Sequence, residues 1–291
     1  MIDHNNRQNK EQKHPVLVIS GASSGIGRAV AELFARQGWQ VYNLSRTAKY
    51  IESDQVGIER SHLDEYSERI RHVTTDVSDN DSVKRAIAEI CELESRINLV
   101  VANAGYGIAG AIEETAELDY QKQFDVNFFG AVRLINACLP ILRAQNEGRI
   151  IIMSSLAAVL PIPFQAFYSA SKSALVSYAR ALNLEVGAYN IRVSALLPGD
   201  IASGFTANRE KSVEESSPYY SIYKRSIARM EKDELSGKPA SFIAEYIWRI
   251  YHKKHPKSMY VAGAKYRLFY FLNCILPLRL ADYILGSLYS R

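Results

Sequence analysis

The sequence predicts an α/β protein with three layers, a doubly wound parallel sheet of about seven strands between two layers of helices. Short apolar runs alternate with segments of crossover-helix length. The first run passes directly into a glycine-rich turn and a helix, and no repeat, low-complexity tract or Pro/Gly linker divides the chain.

PVLVIS is the first strand, GASSGIG the turn, and RAVAELFARQG the helix, in which Val30, Leu33 and Phe34 recur at helical spacing until Gly38 stops it. WQVYNLS is the second strand. A polar insertion from Asp54 to Arg69, expected as surface helix or loop, leads to a third strand, IRHVTTDV, and a helix, DSVKRAIAEICELES. NLVVANAG gives the fourth strand and YQKQFDVNFFGAVRLINACLPILRAQ one long helix. RIIIMSS, the helix FYSASKSALVSYARALNLEVG, IRVSALLPG and SMYVAG complete seven strands. Residues 202–238, rich in Ser, Tyr, Lys and Glu, interrupt the pattern beyond a strand's C-terminal end, a position that suits a substrate lid. The expected organisation is a flexible lead over 1–14, a single domain over 15–264 that includes the lid, and an apolar C-terminal extension of it over 265–291.

With 47 % hydrophobic and 23 % charged residues the 291-residue chain reads as globular, and its +4 charge is spread among acids, as in EKSVEESS and RMEKDELS. That pattern is a solvated surface and speaks against a nucleic-acid partner. MIDHNNRQNKEQKH lacks the apolar core of a signal peptide, so a cytoplasmic location is expected. Cys91, Cys138 and Cys274, without CxxC spacing and in apolar contexts, are expected as buried thiols in a reducing compartment. His14, His62, His72, His252 and His255 form no ligand set, so no metal is expected. The extension, YRLFYFLNCILPLRLADYILGSLYSR, is broken by Asn273, Pro277, Arg279 and Asp282 before any run reaches the ~18 residues of a membrane span. Three roles stay open for it: a cover over the core or substrate pocket, a self-association face, or a patch for peripheral membrane contact.

Gly21, Gly25 and Gly27, set between strand and helix, let backbone approach a pyrophosphate at a helix N-terminus; the bare pattern also fits an ordinary turn. The second strand ends in Ser45 and Arg46, where a site for the NAD ribose diol usually offers an acid. An arginine fork pairs with a 2'-phosphate, so NADP(H) is favoured over NAD(H), with Arg28 a second contributor or simply solvated. Asn103, Ala104 and Gly105 let a cofactor pass close to the fourth strand. Asp76 is placed to accept from the adenine amino group or to cap the next helix, where Asp79 and Asn80 compete for that role.

Tyr168 and Lys172 in YSASK lie four apart, on one helical face. A phenol near pKa 10 is a poor acid-base group at neutral pH, and lowering it by about three units takes roughly 4 kcal/mol of preference for the phenolate. The Lys172 ammonium, with a positive nicotinamide, is the expected source.

Together, GASSGIG, NAG at 103–105, Asn127 in NFFG, Ser155 in MSSLAA, YSASK, and Pro198 with Gly199 resemble the classical short-chain dehydrogenase/reductase family, over roughly Pro15 to Ser203. Ala102 stands where the family usually has asparagine, and Ser203 where it often has threonine. The resemblance implies a Rossmann-type catalytic domain in which Tyr168 is the general acid/base beside Lys172. It selects Ser155 over Ser154 to hold the substrate oxygen and gives Asn127 a water and proton path to the lysine. It also implies cofactor contacts from Ser23, Ser24 and Ile26 in the loop, Val77 beside Asp76, Ile201 after Pro198 and Gly199, and Tyr168 and Lys172 themselves. The expected reaction is hydride transfer between nicotinamide C4 and a ketone, aldehyde or secondary alcohol. Tyr219, Tyr220, Tyr223 and the aromatic extension suggest an apolar substrate, lipid, steroid-like or aromatic. The resemblance further implies a homodimer or homotetramer built on the helices beginning near Tyr120 and Tyr168. Two other readings stay open: an NAD-dependent alcohol dehydrogenase working oxidatively, and a non-catalytic nucleotide-binding scaffold.

Overall fold

The computed structural model describes residues 14–47, 64–205 and 209–289. Its main sheet has seven strands: β1 (Val16–Ser20), β2 (Gln40–Ser45), β3 (Ile70–Thr74), β4 (Leu99–Ala102), β5 (Gly148–Met153), β6 (Ile191–Leu197) and β7 (Met259–Val261). Their order is β7-β6-β5-β4-β1-β2-β3, and every adjacent pair is parallel. Parallel neighbours need long crossovers. These carry α1 (Gly25–Arg36), α2 (Asn80–Leu93), α3 (Glu117–Gln145) and α4 (Ala166–Glu185), with α5 (Tyr220–Leu235) and α6 (Ala240–Tyr251) between β6 and β7. α7 (Ala264–Ile275) and α8 (Leu278–Tyr289) follow the last strand.

β1 is apolar at four successive positions because both its faces are covered. Val16 and Val18 pack into the layer of α2, α3 and α4, and Leu17 and Ile19 into that of α1 and α6. On α1 the inward stripe is Val30, Ala31 and Phe34, with Phe34 edge-on to Trp39 at 4.9 Å and Trp248 at 5.0 Å. Gly38, at φ +84°, ends that helix as its spacing suggested.

Three expectations need revision. The long helix over 120–145 starts at Glu117 and contains a π turn at Asp125–Phe129, one extra residue that turns Asn127 inward. The third strand stops at Thr74, leaving Asp76 and Val77 in a loop. Of the cysteines only Cys138 is buried; Cys91 follows Ile90 of the inward stripe of α2 and so faces out, and Cys274 is exposed on α7. The insertion reaches the described residues only at its end, where Asp64–Ser67 form a helical turn.

The segment expected as a lid is anchored at both ends. Ile201–Ala202 pairs with Lys238–Pro239, and Glu210–Lys211 with Ile108–Ala109 in the segment after β4. The extension packs over this side of the molecule. Tyr266 donates to Asp200 at 2.7 Å, Asn273 to the Val159 carbonyl at 3.1 Å, and Tyr289 packs against the α5 cluster of Tyr223, Ile227 and Met230. It therefore packs over the loops after β5 and β6 and against α5, while Leu268, Phe271 and Leu278 stay exposed on its outer side.

Candidate active site

Chain reversal between β1 and β4 opens a crevice at the C-terminal ends of these strands. The glycine loop, the ends of β2 and β3, and the loops after β4, β5 and β6 all open on this edge. Gly21 and Gly25 hold φ +70° and +54°, and a Cβ on Gly27 would meet Asn103 Nδ2 at 2.6 Å. Ser24 at the N-cap of α1 makes no capping bond, and no acid occupies the first turn. The loop therefore presents bare N–H groups and a backbone cradle that side chains would fill, which fits a dinucleotide pyrophosphate.

Side chains outside the motif hold this loop in place. Ser20 Oγ accepts from the backbone N–H groups of Asn103 and Ala104, each at 3.0 Å. Asn103 Nδ2 donates back to the carbonyls of Ser20 at 3.1 Å and Gly21 at 2.9 Å, while buried Asn43 accepts from Ala22 N at 3.0 Å. Sequence reasoning missed Ser20 and Asn43; a polar residue inside an otherwise apolar strand was the available signal.

Arg46 is exposed just beyond β2, and Ser45 Oγ turns to the Thr47 carbonyl at 3.1 Å. Arg28 Nε pairs with Glu32 at 2.8 Å. Asp79, not Asp76, caps α2 by accepting from Asp81 N. Asp76 instead accepts from Ser78 N at 2.9 Å and from Ser78 Oγ. Burial opposes its charge, but the Ser78 bonds and the nearby Arg46 and Arg133 hold its carboxyl below the usual range. Val77 packs against Gly130 of α3, where a Cβ would lie 2.8 Å from Val77 Cγ2.

At the reacting end the two rival serines separate. Ser154 is buried and donates to the Lys172 carbonyl at 2.8 Å, fixing α4 to β5, whereas half-buried Ser155 hydrogen-bonds Tyr168. Lys172 lies on the same helix with Nζ 5.7 Å from the centre of the Tyr168 ring, and it donates to the Met153 carbonyl at 2.9 Å. Asn127 is tied to the loop after β4, accepting from Tyr106 N and donating to Tyr106 O, both at 2.9 Å. Its amide also reaches Ser171 Oγ at 3.3 Å, which donates to the Tyr168 carbonyl at 2.7 Å. Ser155, Tyr168, Lys172 and Asn127 thus form one connected cluster.

Burial dominates the electrostatics at this end. Burial pushes the Tyr168 phenol up to about 12, with the Ser155 bond and the Arg209 charge opposing the rise and Glu234 adding to it. Burial also pulls the Lys172 ammonium down to about 8. Above this cluster lies Phe205 of the lid, its ring 5.6 Å from that of Tyr168.

A crevice built for a dinucleotide beside a Ser-Tyr-Lys cluster defines a nicotinamide-dependent oxidoreductase. The sequence profile of the short chain dehydrogenase family matches residues 15–214, and the chain belongs to the classical short-chain dehydrogenase/reductase family. It is an NAD(P)(H)-dependent oxidoreductase acting on carbonyl or alcohol groups. A 3-ketodihydrosphingosine reductase of Bacteroides thetaiotaomicron is 36 % identical over 83 % of this chain and 85 % of its own. An NADPH-dependent 3-dehydrocapnine reductase of Ornithobacterium rhinotracheale is 30 % identical over 92 % and 94 %. The crystal structure of a short-chain dehydrogenase from Streptomyces avermitilis superposes with a TM-score of 0.76 at 25 % identity, covering 94 % of this chain and 96 % of that one.

Proposed function

We propose that the protein is an NADPH-dependent reductase of a ketone on a long-chain, lipid-like substrate. The observation that carries this reading is the geometry at Tyr168, which is buried beside Ser155 and Lys172 and closed over by Phe205, and which is protonated at neutral pH as an ordinary phenol is. A phenol that holds its proton serves the reductive direction, in which the carbonyl oxygen must be protonated. Bound NADPH supplies the hydride. Ser155 and Tyr168 donate to the oxygen as it gains alkoxide character, and Lys172 positions Tyr168 and the cofactor ribose. Arg46, exposed beyond β2, takes the 2'-phosphate. Two relatives named for 3-keto or 3-dehydro reduction, one of them also for NADPH, support the direction and the lipid class.

The outer side of α7 and α8 supports peripheral membrane contact: Leu268, Phe271, Ile275 and Leu278 are exposed beside Lys265, Arg267 and Arg279. A lipid substrate would be met there. For self-association, Leu118 and Phe129 on α3 and Leu184 on α4 offer exposed apolar contacts on the helices expected to pair.

Titration with NADPH and NADH, repeated on Arg46→Ala, tests cofactor choice: NADPH affinity falls about tenfold or more while NADH affinity holds. Preference for NADH in the unaltered protein would move the oxidative dehydrogenase reading to first place. Tyr168→Phe should lower kcat for ketone reduction by about 10²–10⁴ with NADPH affinity unchanged.

A further inference from the structure

The lid side of the site holds a set of buried polar groups that no protein partner satisfies. Arg209 is enclosed, its side chain 0 % exposed, and one guanidinium nitrogen, Nη2, is paired with Glu234. Nε and Nη1 of the same group are buried without a hydrogen-bond partner, as are Tyr223 Oη and Ser226 Oγ. Tyr223, Ser226, Met230 and Glu234 lie three to four residues apart on α5, so they share its inward stripe. Arg209 lies 5.8 Å from the centre of the Phe205 ring, which in turn abuts Tyr168, and the charges of Arg209 and Glu234 both act on Tyr168. The Arg209 charge acts on Tyr223 as well.

An unmet buried donor loses its hydration without a replacement partner, so four unmet polar atoms on one side of a site are an arrangement that folding alone disfavours. Two guanidinium N–H groups and two hydroxyls match acceptor oxygens, not alkyl surface. Glu234 already offsets the charge of Arg209, so a hydroxyl oxygen suffices and a second full negative charge is not required.

Resting on the ketone-reductase reading, we propose that Arg209, Tyr223 and Ser226 form a head-group subsite that holds an acceptor oxygen of the substrate a few bonds from the carbonyl that faces Tyr168. The subsite sets which end of a long ketone enters and hence which carbonyl is reduced. Without it an apolar chain could slide along the site, because a methylene more or less discriminates weakly.

The test uses the full chain loaded with NADP⁺ and three long-chain 3-ketones of equal length: one with a 1-hydroxyl, one with a 1-carboxylate, one with a plain 1-methyl end. Calorimetric binding should favour the hydroxyl ketone over the methyl ketone by about 10-fold or more; the carboxylate arm tells a hydroxyl from an acid source of the oxygen. Ser226→Ala and Tyr223→Phe should each weaken the hydroxyl ketone about 5- to 30-fold, leave the methyl ketone within about twofold, and leave Tm unchanged or raised. Arg209→Met should erase the discrimination. Equal binding of hydroxyl and methyl ketones by the unaltered protein, binding of none of the three, or equal losses for both in the variants would overturn the subsite. NADPH turnover is measured separately. Discriminating binding without reduction would retain the subsite and sink the reductase reading.

Discussion

At the nucleotide end of the crevice, Ser20 Oγ accepts two backbone N–H groups at 3.0 Å each and Asn103 returns two donor bonds to the glycine loop. At the lid end, Arg209, Tyr223 and Ser226 bury four polar atoms with no partner. The first region has its shape before any ligand arrives, so binding there spends little on ordering. The second is left for a ligand to complete. Asn43 is the exception that sharpens the contrast: its Oδ1 holds Ala22 N, but its Nδ2 is unmatched.

The largest expected effect breaks the comparison at its satisfied end. Ser20→Ala strips the acceptor from two backbone N–H groups at the core of the loop, at about 1–3 kcal/mol each. Urea denaturation should show a loss of about 2–6 kcal/mol, accompanied by weaker NADPH binding. A loss as small as that expected of Tyr223→Phe, near zero, would mean the two ends do not differ in kind.

Next in size is a pH effect at the junction of the two ends. Folded Lys172 releases its proton near 8, against an ordinary value of 10.5. Between those values the unfolded chain binds more protons than the folded one, so stability contributed by this group rises with pH across the window. Below about 8 its desolvation cost is fully present. Against Lys172→Met, whose stability lacks this term, the native protein should gain roughly 3 kcal/mol from pH 8 to 10.5, at about 1.4 kcal/mol per unit. Tyrosines with raised pKa values pull the other way only above 10 and, apart from Tyr168 itself beside the changed residue, act alike in both proteins. A flat difference between the two proteins over this window would show that Lys172 keeps its charge at no cost.

The two ends also differ in how far the sequence disclosed them. The nucleotide end was legible because backbone chemistry dictates residue type: positive φ at Gly21 and Gly25, and no room for a Cβ on Gly27, leave glycine alone. The strands were legible as apolar runs because both faces of the sheet are covered. Ser155 could be separated from Ser154 only through family spacing; the structure supplies the physical reason, which is that Ser154 is committed to the Lys172 carbonyl. The burial of Tyr168 and Lys172 was not legible, because sequence distance places two side chains on one face but says nothing of their desolvation. At the lid end a stripe of Tyr223, Ser226, Met230 and Glu234 was readable at helical spacing, yet its inward direction depended on α8 and on Arg209, both remote in sequence.

The smallest expected effect probes how the extension joins the lid end. Tyr266 donates to Asp200 at 2.7 Å, and its ring fills the space over Gly199, where any Cβ would collide with it. Burial and the Asp200 carboxylate both raise the Tyr266 phenol, so it stays a donor throughout the neutral range. Tyr266→Phe keeps the ring and loses only the hydrogen bond, leaving a half-buried carboxylate that water can reach, at a cost of about 1 kcal/mol. NADPH affinity should be unchanged, because the nucleotide end does not depend on this contact. KM for a carbonyl substrate should rise a few-fold, because Asp200 begins the segment that carries Ile201 and Phe205 toward Tyr168. If NADPH affinity falls together with ketone affinity, the extension braces the whole crevice edge and the two ends are mechanically one.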